Sequence, residues 1–145
     1  MIDLHAHVLP GIDDGAADEP VALAMCRAAV ADGITTMVAT PHMYCGAGVT
    51  DSSVIRDSAA RLKSRLAEEQ IPLDLCWGAE VQLVEDLLAR FRAGAVPTYN
   101  SMGKYLLLEM PPVPNGLAIL RETIFRLQLD GVTPIIWAGT GTLLM

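Results

Sequence analysis

Five short apolar runs, each separated from the next by a polar loop and a stretch of helical period, constrain this chain more than any other feature. They occupy residues 1–4, 34–39, 73–77, 105–108 and 133–137. Strands that read as near-continuous apolar runs, rather than as an apolar/polar alternation, are buried on both faces, and burial on both faces implies a parallel sheet with helices packed against it. The helical segments fall where this arrangement needs them. Val21, Met25, Ala28 and Ala29 lie near helical spacing in 19–32, with Gly33 as the stop. Asp51 or Ser52 can cap a long helix in which Ile55, Ala59, Leu62 and Leu66 share one face. Shorter helices are expected over 83–91 and around Leu117, Leu120, Ile124 and Leu127. The fold class is therefore α/β, with about five parallel strands and flanking helices. Two architectures fit this pattern, an open doubly wound sheet and a (β/α) barrel. A barrel typically takes about 250 residues, so 145 residues would supply roughly half of one.

Composition narrows the classes of function. Hydrophobic residues make up 52% and charged residues 19%, which excludes an intrinsically disordered chain. Ten Lys+Arg against 17 Asp+Glu give a net charge of -7, a field that repels nucleic-acid backbones and anionic lipid. The start, Met-Ile-Asp-Leu-His-Ala-His, has no signal-peptide pattern, and no apolar stretch reaches membrane-spanning length, so a soluble, cytoplasmic protein is expected. Cys26, Cys45 and Cys76 lack metal-knuckle spacing and read as reduced, small hydrophobic residues.

The chemistry gathers at one rim. His5 and His7 are two apart on the first strand, so the period of two sends both imidazoles to the same side. The third and last histidine, His42, lies just past the end of the second apolar run. Asp13 and Asp14 sit in the loop after the first run, Glu80 follows the third, and Glu109 directly follows Leu106-Leu107-Leu108. A carboxylate at the end of a buried apolar strand is costly unless it is paired or bound to a metal. Ligand sites of parallel α/β folds lie at the C-terminal ends of the strands, where all of these residues fall. A mixed imidazole and carboxylate set suits Zn, Mn or Fe, and six candidates exceed what one tetrahedral ion needs. Bridged ions of this kind make hydroxide near neutral pH and neutralise a phosphoryl group in transfer. A cysteine phosphatase is excluded: it needs an arginine six positions after the nucleophile, and the residues there are Asp32, Asp51 and Gln82.

These segments together, Met-Ile-Asp-Leu-His5-Ala-His7, Asp13-Asp14-Gly15, Ala-Thr-Pro-His42, Gly-Ala-Glu80-Val and Leu-Leu-Glu109-Met, resemble the PHP superfamily. The likeness is nearest to the bacterial PHP-type tyrosine-protein phosphatases of capsule and exopolysaccharide synthesis. It implies a distorted (β/α) barrel, here incomplete, with residues 1–136 as the N-terminal part of the PHP domain and 137–145 as a divergent tail. It also implies a trinuclear centre, most often manganese with zinc or iron as alternatives, that hydrolyses phosphotyrosine on a partner tyrosine kinase. By position, His5 and His7 resemble ligands of one ion and Glu80 bridges to a second that also uses Glu109. Asp14 and His42 resemble ligands of the third, with Asp13 the lesser partner of its pair. Where the family continues Ala-His-Pro-Glu-Arg, this sequence reads Trp137-Ala138-Gly139-Thr140-Gly141. That departure implies impaired activity and self-association through an uncovered strand. Other readings are a PHP phosphoesterase of the histidinol-phosphatase kind, an amidohydrolase, and a non-catalytic remnant.

Overall fold

The computed structural model describes residues 1–46, 48–110 and 114–137. Its elements run β1 (Ile2–Ala6), α1 (Glu19–Ala31), β2 (Thr36–Ala39), β3 (His42–Met43), α2 (Ser52–Glu68), β4 (Asp74–Trp77), β5 (Glu80–Gln82), α3 (Leu87–Arg92), a 3-10 turn (Tyr99–Ser101), β6 (Tyr105–Glu109), α4 (Gly116–Leu129) and β7 (Thr133–Trp137). Every strand pairing is parallel, in two sheets of order β1-β2-β4 and β3-β5-β6-β7.

The expected five strands are seven because two of the apolar runs break and turn a corner. The second run divides at Thr40-Pro41 into β2 and β3, and the third divides at Gly78-Ala79 into β4 and β5. Proline has no N–H to donate to a ladder, and glycine has no side chain to pack on a pleated surface. Both corners remain tied. Gly78 N–H donates to the Ala39 carbonyl at 2.9 Å, and Glu80 N–H to the Pro41 carbonyl at 3.0 Å. Counted as runs, the order across the two sheets follows the chain without reversal, so the switch point of a doubly wound sheet is absent among the described residues. No closed barrel forms among them either, because β1 and β7 are both edges.

The helices start and bury where local chemistry directs. Asp18 caps α1 by accepting from Val21 N–H, and Asp51 caps α2 by accepting from Ser53 N–H at 2.8 Å. The α2 face is the expected one, with Ile55, Ala59, Leu62 and Leu66 all buried. The α1 face is rotated by about one position from expectation: Ala22, Leu23, Cys26 and Ala29 are buried while Val21 and Met25 are exposed. On α4 the buried positions are Leu120, Thr123 and Leu127, and Leu117 is exposed. The α3 helix begins later than residue 83, since β5 and the buried Leu83 use the preceding segment.

These faces meet the sheets in one core that includes Val8, Leu9, Met37, Met43, Leu75, Val81, Leu106 and Leu108. Leu107, one residue out of phase, lies on the opposite face with Val38 and Tyr99. The inner runs are buried on both faces, as uninterrupted apolar runs require, at roughly 1.5 to 3 kcal/mol for each large side chain fully buried, whereas the edge strands β1 and β7 leave Ile2, Leu4, Ile136 and Trp137 exposed. No helix of the described residues is long and apolar enough to cross a membrane. Pro111-Pro112, read as the stop after the fourth run, and the tail 138–145 lie outside the described residues.

Candidate metal centre

The strand ends and the loop after β1 bring seven side chains to one open basin of about 420 Å³, lined by His5, His7, Asp14, Gly15, His42, Glu80, Glu109 and Trp137. His5 lies on β1 and His7 just beyond it, His42 opens β3, Glu80 opens β5, Glu109 ends β6 and Trp137 ends β7. Register aligns them. His42 pairs with Glu80 across β3 and β5, and Gln82 pairs with Glu109 across β5 and β6. All six residues singled out in the sequence therefore line the same basin.

Glu80 is its centre. The side chain is 1% exposed, and its Oε2 lies 3.0 Å from His5 Nε2, 2.9 Å from His7 Nε2 and 3.4 Å from His42 Nδ1. His5 and His7 bring their Nε2 atoms to 3.1 Å of each other, as the period of two requires. Burial pushes the Glu80 pKa up, but hydrogen bonds from His5 and His7 and the charges of His5 and His42 outweigh it and bring the value down to about 2. His7 moves the other way. Hydrogen bonds to Asp13 and Glu80, opposed by burial, raise its pKa to about 10.

Asp13 and Asp14 have separated roles. The Asp13 side chain is buried and receives three donors, His7 Nδ1 at 2.9 Å and the backbone N–H groups of His42 at 2.9 Å and Gly15 at 3.0 Å. Burial raises its pKa, and these hydrogen bonds outweigh that and lower it. Asp13 thus fixes the His7 ring and points its other nitrogen at Glu80, the orienting task that carboxylates perform behind metal-binding imidazoles. Asp14 is 78% exposed and faces His7 and His42 at 3.6 Å each. The loop can close on His7 only because Gly15 has no side chain, since a Cβ there would sit 2.0 Å from the His7 carbonyl oxygen.

The donor set fits cations. Three groups of ligand atoms each lie within 4.8 Å of one another: His5, His7 and Glu80; His7, Asp14 and His42; and His42, Cys45 and Glu109. Three buried atoms around the basin, His42 Nδ1, Glu80 Oε1 and Glu109 Oε2, have no hydrogen-bond partner among the described residues. A buried unpaired acceptor costs about 1 to 3 kcal/mol, more when charged, and a divalent cation relieves several such acceptors at once. Among the described residues no Lys or Arg lines the basin to do the same work.

Some contributions escape sequence reasoning. Adjacent aspartates on a tight turn cannot both face inward, which hints that one positions and the other binds, without saying what it positions. Cys45, read as a structural hydrophobe, instead lies half-buried against His42 and Glu109, whereas Cys26 is in the core as expected. Its place three residues after His42 was the available signal. Trp137 packs its ring edge-on against His5 at 4.8 Å, and nothing in the sequence pattern pointed to that contact.

The chain is similar to known proteins. The chain is 36% identical over 138 residues to the tyrosine-protein phosphatase YwqE of Bacillus subtilis, covering 94% of this chain and 53% of that protein. It is 25% identical over 136 residues to the tyrosine-protein phosphatase CpsB of Streptococcus pneumoniae, covering 94% and 55%. A solved structure described with YwqE and CpsB as unique metal-dependent tyrosine phosphatases matches with a TM-score of 0.85 at 36% identity, over 94% of this chain and 54% of that one. The chain spans about half the length of the curated relatives it matches. The family model for capsular polysaccharide synthesis, CpsB/CapC, matches residues 1–138, and the protein belongs to that family.

Proposed function

We propose that this chain carries the metal-binding half of a phosphotyrosine phosphatase, with His5, His7, Asp14, His42, Glu80 and Glu109 as its ligands. The observation that carries the reading is Glu80, a carboxylate 1% exposed with three imidazoles within 3.4 Å of one oxygen. Manganese is the preferred ion, with zinc or iron accepted by the same donors. Bound divalent ions in such a cluster supply hydroxide near neutral pH and neutralise phosphoryl oxygens.

The chain's own residues do the rest. His7 is held by Asp13 so that Nε2 faces the basin, His5 approaches from the same strand, and Asp14 stays exposed on the side where substrate arrives. Trp137, at the rim, offers an aromatic edge beside His5 for a substrate ring. The basin is open and shallow enough for a phosphate borne on a protein surface. With the family resemblance, the proposed substrate is a phosphorylated tyrosine kinase in the cytoplasm, and the proposed architecture is one side of a PHP-type (β/α) barrel. Gripping phosphate also needs a cationic side chain, and none lines the basin among the described residues, so slow turnover is expected from this chain alone.

The test is hydrolysis of phosphotyrosyl peptide, phosphoserine peptide and histidinol phosphate, each with manganese and with chelator. Manganese-dependent release from phosphotyrosine above the other two supports the reading. Preference for histidinol phosphate would move the substrate to a small phosphomonoester, and metal binding without turnover on any of them would leave a metal-binding remnant.

A further inference from the structure

We propose that Cys45 is a metal ligand, forming with His42 and Glu109 a thiophilic cation subsite on the side of the basin away from His5. This deepens the metal-centre reading and rests on it. Three observations carry the assignment. The ligand atoms of His42, Cys45 and Glu109 lie within 4.8 Å of one another, a spread that bonds of about 2.0 to 2.3 Å can gather with a small closing movement. His42 Nδ1 and Glu109 Oε2 are both buried without a hydrogen-bond partner among the described residues, and they stand 3.8 Å apart, a separation suited to two ligands of one ion. The backbone, finally, turns tightly beside the thiol. Tyr44 takes a positive φ of 65°, and Gly48 N–H returns to the Cys45 carbonyl at 2.6 Å. Any Cβ at Gly48 would meet the His42 carbonyl oxygen at 2.7 Å.

The donor chemistry differs from the rest of the cluster. Around His5, His7 and Glu80 the donors are nitrogen and oxygen, which accept manganese readily. A thiolate selects softer ions such as zinc, or cobalt as its spectroscopic substitute. On binding, the S–H bond gives its proton to water as the sulfur–metal bond forms, and no electron is transferred. A neutral imidazole offers one lone pair, so His42 serves either Asp14 through Nε2 or Cys45 through Nδ1. The two sets are alternatives for that ring.

Cobalt(II) added to the reduced, metal-free chain tests this. Sulfur-to-cobalt charge transfer should appear in the near ultraviolet, vanish in Cys45→Ser and Cys45→Ala, and persist in Cys76→Ser. Cobalt affinity at that position should fall by about tenfold or more. Alkylation mapped by mass spectrometry gives a second readout: zinc should protect Cys45 and leave Cys76 labelled at its metal-free rate. Cobalt bound by the wild type with no thiolate band, or a band unchanged in Cys45→Ser, overturns the Cys45 assignment and leaves the His5–His7–Glu80 site standing. Failure of the wild type to bind cobalt at all overturns both.

Discussion

The two halves of the basin differ in how far the protein alone satisfies them. In the half built from His5, His7, Asp13 and Glu80, polar atoms meet at 2.9 to 3.1 Å. In the half built from His42 and Glu109 the nearest approach is 3.8 Å, and an atom of each is buried without a partner. Strand order explains the contrast. His7 and Asp13 belong to one strand end and the loop that returns to it, closed by Ala16 N–H donating to the His7 carbonyl at 3.1 Å. His42 and Glu109 stand on β3 and β6, with β5 between them. His42 Nδ1 lies 3.4 Å from Glu80 Oε2, closer than its 3.8 Å to Glu109 Oε2. A proton satisfies the first half except at Glu80 Oε1, whereas the second is satisfied only by something that bridges a wider gap.

Removing both imidazoles from the satisfied half should give the largest effect. The double change His5→Ala and His7→Ala leaves Glu80 charged, 1% exposed and without its two closest partners. Breaking a buried ion pair from one side costs about 3 to 5 kcal/mol. The expected outcome is a large fall in thermal midpoint and loss of manganese or zinc from a dialysed sample. Glu80→Gln removes the stranded charge as well and should lose the metal with a smaller loss of stability. Full metal content by elemental analysis in both variants would show that these residues are not ligands.

Gly15→Ala strikes the same half through its backbone. The new Cβ must displace the His7 carbonyl that would lie 2.0 Å away, and overpacking of this kind costs about 1 to 3 kcal/mol. Because the loop also carries Asp13 and Asp14, metal affinity should fall together with stability. A variant with wild-type midpoint and wild-type metal content would mean that the loop does not need its close seat on His7.

Acidity separates the halves without a mutation. The folded-state pKa of His7 is raised from 6.5 to about 10, so in chelator its contribution is fully present below pH 6.5 and is lost as pH climbs toward 10. Glu80 is lowered from 4.5 to about 2, so its contribution is present above pH 4.5 and is lost toward pH 2. The His7–Glu80 hydrogen bond enters both shifts and counts once, while Asp13 adds to the first and His5 to the second. The metal-free chain should therefore be most stable between about pH 4.5 and 6.5 and soften on the alkaline side. With manganese the trend from pH 6.5 upward should weaken or reverse, because the cation takes the place of the His7 proton. Melting curves with and without chelator that run parallel across that range would count against a cation at His7.

How much of this was legible in the sequence follows from the range over which each signal acts. The apolar runs and the α2 stripe are local patterns, and they translated directly into strands and a buried helix face. The corners at Pro41 and Gly78 were visible as residues, but their effect on strand count depends on how neighbouring strands pair. The α1 face came out rotated because a run rich in alanine defines no sharp apolar stripe, and tertiary packing chose Ala22, Leu23 and Cys26 over Val21 and Met25. The six rim residues were legible as a set because strand ends converge in parallel sheets. The division between Asp13 and Asp14, and the approach of Cys45 and Trp137, are set by loop geometry that no periodicity encodes.

The smallest effect on stability should come from Glu109→Gln, and it tests the contrast most directly. In Glu80 the charge is held by three imidazoles within 3.4 Å, so neutralising it discards interactions that help hold the metal-free fold together. Glu109 Oε2 has no hydrogen bond, and its nearest imidazole nitrogen lies 3.8 Å away. Neutralising it breaks no ion pair closer than 3.8 Å, so in chelator it should cost less stability than Glu80→Gln, about 1 kcal/mol or less. With metal present the order should invert, because the amide is a weaker donor, and affinity on that side of the basin should drop at least about tenfold. Paired melts of Glu80→Gln and Glu109→Gln, each with chelator and with metal, decide the matter. Should Glu109→Gln in chelator lose as much stability as Glu80→Gln, Glu109 is a structural carboxylate already satisfied by the protein, and the second half of the basin has no need of a cation.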